Sequence, residues 1–386
     1  MRSGCVARRV IPAFVIAVLT VLMWTPLPAQ AAADGQSSGP ALDVRVGFDG
    51  YVQSNAWAPV SVTASNDGPD VSGELRVVVE GFAGGRTIYS YPIDLPRGSR
   101  KQVMLYVAGL SSFGNTLDVE LVRRGRVIVT ERERVQFIPA TALLIGLWTD
   151  APQGLASLSL VVPSSGESKV AVLTEDDLPP VGQGWAALDV LVISDVDSGQ
   201  LSPDQQTALR EWVTGGGRLI VTGGPGFART LAGLGGLTPV AANDTETVSL
   251  MPLSAASGAP FDQQAQTEAL VAVGEVADGA QVMIESDGVP LWVAGDVGYG
   301  RVDFLAAAPS LEPLRSWPRG DRLWTLILAG GRERPGWAYG FIEPWDTARQ
   351  AAAAVPGVRL PSVIPVSYTH LRAHETPEHL VCRLLL

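Results

Sequence analysis

The sequence predicts a multidomain chain in which an antiparallel β-sandwich is followed by an α/β domain. Two observations carry this expectation. From Leu42 to Pro139, short runs of alternating polarity are separated by turn residues, the period-two signature of half-buried strands. After Pro139, apolar runs alternate with helical stretches, which implies parallel pairing. The roughly 330 residues between the two unusual ends suit two domains.

The first element is a leader. Arg2, Arg8 and Arg9 form a positive n-region, Val10 to Leu27 is nearly continuous apolar sequence, and Ala29-Gln30-Ala31 supplies a small-x-small cleavage pattern. Residues 1–31 therefore read as a secretory signal peptide and residues 32–41 as a polar linker. A retained membrane anchor is the alternative, because the apolar run is long enough for a marginal span. Cys5 precedes that run, so it is not placed as a lipoprotein cysteine.

Residues 42–139 form the sandwich candidate. Expected strands are Leu42–Gly47, Pro59–Asn66, Gly73–Glu80, Thr87–Pro92, Lys101–Val107, Thr116–Arg123 and Val127–Glu133. Asn66-Asp67-Gly68-Pro69 and Arg124-Gly125 read as hairpin-type turns. Seven strands at this spacing argue for an immunoglobulin-like arrangement. Trp57 reads as a core residue rather than a ligand platform. A carbohydrate-binding surface built on Tyr51, Tyr89 and Tyr91 is the alternative use of this half's aromatics.

Residues 140–333 form the α/β candidate, with buried strands at Ala142–Trp148, Lys169–Leu173 and Leu188–Ser194. Ser202-Pro203-Asp204-Gln205 is a capping-box start, with Ser202 as N-cap, proline at the first helical position and Gln205 at the third. Leu209, Trp212 and Val213 make that helix's apolar face, Gly215-Gly216-Gly217 ends it, and Arg218–Thr222 is the next strand. Strand, helix and strand at this spacing predict a right-handed crossover. Further on, Asp287-Gly288 is a hairpin turn between Gln281–Glu285 and Val289–Val293, and Gly298-Tyr299-Gly300 makes the next reversal. Arg322 to Ala329 is a short helix with Trp324 buried against the sheet.

Over roughly Ala142 to Gly331 the chain resembles class I glutamine amidotransferase-like domains. The stretch LDVLVISDVDSGQLSPDQQTALREWVTGGGRLIVTGG, then PLWVAGDVGYGRVDFLAAAPSLEPL and LWTLIL, resembles the degenerate branch found in exported bacterial membrane proteins. That resemblance implies a three-layer, flavodoxin- or amidotransferase-like α/β fold. It also implies the order signal peptide, β-sandwich, amidotransferase-like domain and transmembrane helices. An active member needs a cysteine on a tight strand-to-helix turn, with a histidine and a carboxylate nearby. The equivalent turn here is Val221-Thr222-Gly223-Gly224-Pro225-Gly226, which has no cysteine.

Residues 334–364 read as a linker leading to a lost membrane anchor. The stretch from Val366 to Thr376, with Leu380 to Leu386, resembles translated sequencing adapter in one reading frame, so residues 365–386 are set aside as an artefact. His370, His374 and His379, all three histidines, and Cys382 fall within it, and no histidine or cysteine occurs between Ala32 and Ile364. That excludes a thiolate nucleophile, a Ser-His or Cys-His couple and His- or Cys-ligated zinc from the intervening chain, and disulfides with them.

The formal charge is -11 for the whole chain, and discounting Arg2, Arg8 and Arg9 leaves -14. Such acidity argues against nucleic acid, whose phosphates need neutralising. Asp195 and Asp197 stand at the carboxyl end of a strand, where open α/β sheets bind ligands, and are the candidate metal ligands for a hard cation. Asp195-Val196-Asp197-Ser198 resembles the metal-binding start of von Willebrand A domains, but Asp197 and Gly199 stand where that pattern has serines. Gly224 and Gly226 are the candidate ligand-binding glycines of a phosphate cradle, with a tight-turn role as the alternative. Arg229 stands where a third glycine would fall. Glu175-Asp176-Asp177 reads as a solvated turn.

Two functions follow as expectations. One is a non-catalytic extracytoplasmic ectodomain of a membrane-anchored envelope protein, with a protein or glycan partner and no cofactor; a soluble secreted binding protein differs from it only in lacking the anchor. The other is a carboxylate- or metal-dependent hydrolase centred on Asp195 and Asp197, which needs a further carboxylate, such as Glu175 or Asp177, within about 5–10 Å.

Overall fold

The computed structural model describes residues 39–329, apart from 55, 81–85, 109–114, 140–141, 163–166 and 263–266. The expected leader, the C-terminal linker and the adapter-like stretch lie outside the described residues. Within them the protein is rich in β-structure, distributed over several sheets.

All seven strands expected in the first half are present: β1 (Pro40–Val46), β3 (Ala58–Asn66), β4 (Val71–Glu80), β5 (Arg86–Leu95), β6 (Ser99–Val107), β7 (Thr116–Arg123) and β8 (Arg126–Arg134). They form a three-stranded sheet, β1-β3-β6, and a four-stranded sheet, β5-β4-β7-β8, antiparallel throughout. Their alternating positions close on one core that includes Val44, Val60, Val62, Leu75, Val77, Val119 and Leu121.

Arg124 and Gly125 both take positive φ, 50° and 78°, which fits the two-residue hairpin between β7 and β8. The expected hairpin at Asn66–Pro69 is a different object. β3 and β4 belong to different sheets, so this turn is an arch from one sheet to the other. A turn signal marks a chain reversal, whereas pairing across it depends on which strand edges are already taken.

Two short strands outside the expected set, β2 (Tyr51–Gln53) and β9 (Gln136–Ile138), pair in parallel. They lie where the halves meet. Phe48, Ala56 and Ile138, all from the first half, belong to the same apolar cluster as the second half's core. Gln53, 2% exposed, donates through Nε2 to the Ala142 carbonyl at 3.0 Å and to Asp189 Oδ2 at 3.3 Å.

The second half is built on a seven-stranded sheet. Its strands are β10 (Leu143–Thr149), β11 (Ser168–Leu173), β12 (Val190–Ser194), β13 (Arg218–Thr222), β16 (Gln281–Ser286), β17 (Val289–Val297) and β18 (Gly300–Leu305), in the order β11-β10-β12-β13-β18-β17-β16. The first five strands in that order run parallel, and β17 and β16 add antiparallel. β12 and β13 are buried at every position, as parallel strands covered on both faces require.

The capping box forms as the sequence implies. Gln205 N–H donates to Ser202 Oγ at 3.2 Å, and Ser202 N–H donates to Gln205 Oε1 at 2.9 Å, opening the helix Pro203–Thr214. Asp287 and Gly288, with φ of 50° and 84°, turn β16 into β17. Trp324 is 3% exposed on the helix Gly320–Ala329.

Residues 240–276 carry no clear period-two alternation, with Val240 and Val248 alone buried in the first strand. There β14 (Val240–Ser249) and β15 (Glu268–Val276) make a separate antiparallel ribbon around a short helix, Met251–Ser257. Ala272 N–H donates to the Ala306 carbonyl at 2.8 Å, which holds the ribbon over the exit of β18.

Glu175–Asp177 is more than the expected solvated turn. It is one turn of 3-10 helix capped by Thr174, and Asp177 pairs with Arg45 of β1 at 2.5 Å. Gln205 Nε2 also donates to the Glu175 and Leu178 carbonyls at 3.0 and 2.9 Å. Tertiary contact decided this segment.

Candidate functional site

The parallel strands β10, β12 and β13 all end toward one rim, and their last residues are polar: Thr149, Ser194 and Thr222. The chain leaves β10 toward β11 on one side, while β12 lies on β10's other side. A crevice at such a reversal of strand order is where open α/β sheets bind ligands.

Ser194 and Thr222 are fully buried, and Thr222 Oγ1 donates to Ser194 Oγ at 2.8 Å. Ser194 Oγ donates to Asp195 Oδ2 at 3.2 Å, and Ser310 Oγ donates to the same oxygen at 2.6 Å. Asp195 takes φ of +55°, a left-handed conformation that aspartate adopts more readily than most side chains. Arg229 secures it, donating through Nη2 to the Asp195 carbonyl at 2.7 Å. The same guanidinium lies 3.6 Å from Asp150, just beyond β10.

The candidate cation ligands Asp195 and Asp197 thus have different partners. Asp197 caps a turn of 3-10 helix, Ser198–Gln200, accepting from Gly199 N–H at 3.0 Å and Gln200 Nε2 at 3.4 Å. Among the described residues no three His, Cys, Asp or Glu side chains converge. Asp177, a possible further carboxylate, is bonded to Arg45 and to Thr174.

The glycine turn is also committed. Gly223 N–H donates to the Leu305 carbonyl at 2.8 Å, and Gly224 N–H to the Ala306 carbonyl at 2.7 Å. Gly224 has φ of +82°, and a Cβ there would fall 2.6 Å from Ala308 Cβ. Gly226 caps a helix of only five residues, Phe227–Leu231. These facts fit the tight-turn role. Thr222, at the turn that the resemblance equates with the nucleophile position, is buried and has a serine hydroxyl for a partner.

The sequence singles out neither Ser310 nor Asp150, and marks Arg229 only as standing where a third glycine would fall. Ser310 lies 115 residues from Asp195, and no local pattern links them. The aromatics named for a carbohydrate surface also separate. Tyr51 packs on the second half's core and Tyr89 on the sandwich core, whereas Tyr91 is 44% exposed. Trp57, half-buried, stands edge-on to Tyr89 with centroids 6.4 Å apart.

An antiparallel two-sheet half joined to a mixed, largely parallel sheet with a polar rim is the class of protein these features define. Residues 39–136 match a family model described as a domain of unknown function, DUF8726. No curated protein matches the chain. Solved structures with similarity include a cytoplasmic protein from Salmonella typhimurium LT2, at 17% identity and TM-score 0.38 over 50% of this chain and 100% of the other. An exo-β-1,4-mannosidase from Opitutaceae bacterium strain TAV5 matches at 16% identity and TM-score 0.33, over 49% of this chain and 36% of its own. The CARDB domain of a Pyrococcus furiosus protein, in complex with di-metal ions, matches at 17% identity and TM-score 0.21, over 26% of this chain and 90% of its own. Likeness at these scores transfers no chemistry.

Proposed function

We propose that this chain is a non-catalytic extracytoplasmic ectodomain of a membrane-anchored envelope protein that binds a protein or glycan partner. The observation that carries the reading is the state of the polar rim. Thr222, Ser194, Asp195 and Ser310 are bonded to one another, and the Gly223 and Gly224 amides are bonded to backbone carbonyls. Among the described residues the one base in reach of these hydroxyls is the Asp195 carboxylate, with no imidazole to pass a proton to a leaving group, and anion capture needs amides to spare. The chain between Ala32 and Ile364 also lacks histidine and cysteine.

The strand order supports a flavodoxin-type, three-layer reading of the second half. Counting β10 first, the parallel strands run 2-1-3-4-5, a doubly wound order. The three- and four-stranded antiparallel sheets support an immunoglobulin-like reading of the first half. Export and anchoring rest on the leader pattern and on the resemblance. Among the described residues no helix is long and apolar enough to cross a membrane. The hydrolase reading is less favoured, because Asp195 and Asp197 serve different partners.

Expression of the whole chain in a bacterial host, with external protease added to spheroplasts, tests location. The expected result is digestion without lysis. The purified chain should release no ammonia from glutamine and hydrolyse no glycoside or ester above background. Protection from external protease, or turnover that disappears in Asp195→Asn, would overturn the reading.

A further inference from the structure

Two arches between the sheets, Asn66–Asp70 and Pro96–Gly98, lie at the end of the sandwich where β1 begins, because Asn66 pairs with both Pro40 and Ser99. The Asn66 carbonyl joins the arches, accepting from Gly98 N–H at 2.6 Å. The β7–β8 hairpin turns at the same end, since Val122 pairs with Glu74 near the start of β4. Its tip is Arg123-Arg124-Gly125-Arg126, followed by Val127 and Ile128, and all six residues are exposed.

Several features set this tip apart. Arg124 holds φ of +50°, at a turn position usually given to asparagine or glycine, so a long cation is kept there at a backbone cost. Among the described residues no carboxylate pairs with Arg123, Arg124 or Arg126, whereas Arg76 and Arg132 of the same sheet pair with Glu74 and Asp118. No acid occurs from Leu121 to Thr130. Ile128 is the extra residue of a bulge, because Leu121 pairs with Val129 and Val122 with Val127; bulges re-aim side chains. Val127 and Ile128 are 48% and 41% exposed. Asp67, Asp70 and Asp94 are also exposed at this end, but on the arches and β5, where exposed Arg97, Arg100 and Lys101 offset them. The acidity of the chain lies elsewhere. Residues 39–139 carry eleven cations and eleven acids, and residues 140–329 carry eight cations and 22 acids. An anionic surface therefore attracts the tip and repels the second half.

We propose that the β7–β8 tip docks on an anionic lipid bilayer. Arg123, Arg124 and Arg126 meet the headgroup phosphates, and Val127 and Ile128 reach the acyl boundary beneath them. Guanidinium forks match phosphate oxygens, and an apolar layer under the phosphates is what a bilayer offers and a soluble polyanion lacks. Chain connectivity favours the same occupant. Residues 28–39 alone separate the apolar run ending at Leu27 from Pro40, a reach of about 40 Å at full extension. This rests on the membrane location proposed above and adds a lipid contact to it.

Hydrogen exchange read by mass spectrometry on the whole chain tests the proposal residue by residue, so lipid binding by the leader does not confuse it. The probes are phosphatidylcholine vesicles, phosphatidylcholine vesicles containing phosphatidylglycerol, and polyphosphate. Slower exchange over residues 122–129 is expected with the phosphatidylglycerol vesicles alone, and about 0.5 M salt should release it. Replacing the three arginines together (Arg123→Ser, Arg124→Ser, Arg126→Ser) should raise the lipid needed for the same protection by about a hundredfold. Val127→Ser with Ile128→Ser should raise it as well. Removing equal charge elsewhere, by Arg315→Ser, Arg319→Ser and Arg322→Ser, should leave it unchanged. Unaltered exchange over the rest of β4 and β7 shows that each variant is folded. No protection at the tip, equal protection by phosphatidylcholine or polyphosphate, or an unchanged lipid requirement in either tip variant would overturn the proposal. None of these results bears on protease accessibility in spheroplasts, so failure of the lipid contact and failure of the envelope role remain distinguishable.

Discussion

Asn66 is fully buried, and its side chain is fully engaged. Nδ2 donates to the Pro69 and Leu95 carbonyls, and Oδ1 accepts from Gly68 N–H. Together with its own carbonyl, this one residue ties both sheet-to-sheet arches at one end of the sandwich. Alanine there would strand those groups without water, at about 1–3 kcal/mol for each group left unsatisfied. Asn66→Ala should therefore lower unfolding free energy by about 2–4 kcal/mol, measured by urea titration; a loss within the error of the titration would contradict this account. Tyr106 presents the opposite case. Its Oη is buried with no hydrogen-bond partner among the described residues, and burial raises its pKa to about 12. A raised folded pKa means the contribution is intact below pH 10 and is lost as pH rises from 10 toward 12, since only the unfolded chain ionises in that window. Tyr106→Phe should leave stability at pH 7 unchanged or slightly higher, and should reduce the alkaline loss between pH 10 and 12. Denaturation curves at pH 8 and pH 11 for both proteins decide it.

The helix Pro203–Thr214 shows an element held at its start by local and distant bonds together. Ser202 and Gln205 cap each other, so loss of the Ser202 hydroxyl in Ser202→Ala should cost about 1 kcal/mol. Gln205 carries more. Its Nε2 also holds the Glu175 and Leu178 carbonyls, and through that turn the Asp177–Arg45 pair is set in place. Gln205→Ala should cost clearly more than Ser202→Ala in the same titration, and equal costs would mean that the tie to Glu175–Leu178 contributes nothing. The Arg45–Asp177 pair itself has a half-exposed guanidinium, and such surface pairs are worth about 0–1 kcal/mol. Elsewhere Arg218 in β13 plays the corresponding role at a helix end. It bonds Asp303 at 2.9 Å and donates to the Ile327 and Leu328 carbonyls at the end of Gly320–Ala329. Desolvation lowers its pKa while Asp303 opposes that shift.

Across the described part of the molecule, the two halves share a core rather than a flexible hinge. Phe48, Ala56 and Ile138 pack with the second half's apolar residues, and Gln53 bridges to Ala142 and Asp189. A Cβ on Gly184 would fall 2.3 Å from the Tyr106 ring, so tyrosine and loop lie in direct contact. Such continuity predicts one calorimetric transition for both halves. Two resolved transitions, or a first half that unfolds alone in Gln53→Ala at temperatures where the second persists, would refute it.

Much of this was legible beforehand. The sandwich strands followed from period-two alternation, β12 and β13 from uninterrupted apolar runs, and the helix between them from Ser202 and Gln205, because each signal is contained within a few residues. The ribbon β14–β15 carries a weaker pattern, with only Val240 and Val248 of β14 buried, and it escaped. The residue types needed for histidine or thiolate chemistry were readable as missing between Ala32 and Ile364, since composition requires no coordinates. Tertiary structure alone decided that Asn66–Pro69 arches between sheets, that Glu175–Asp177 meets Arg45, and that Ser310 completes the bonds of Asp195. It also decided that Tyr91, and not Tyr51 or Tyr89, faces solvent. Local sequence encodes the period and the caps of an element, whereas the partner of an edge or a polar group is chosen by the free energy of burying it among groups far away in the chain.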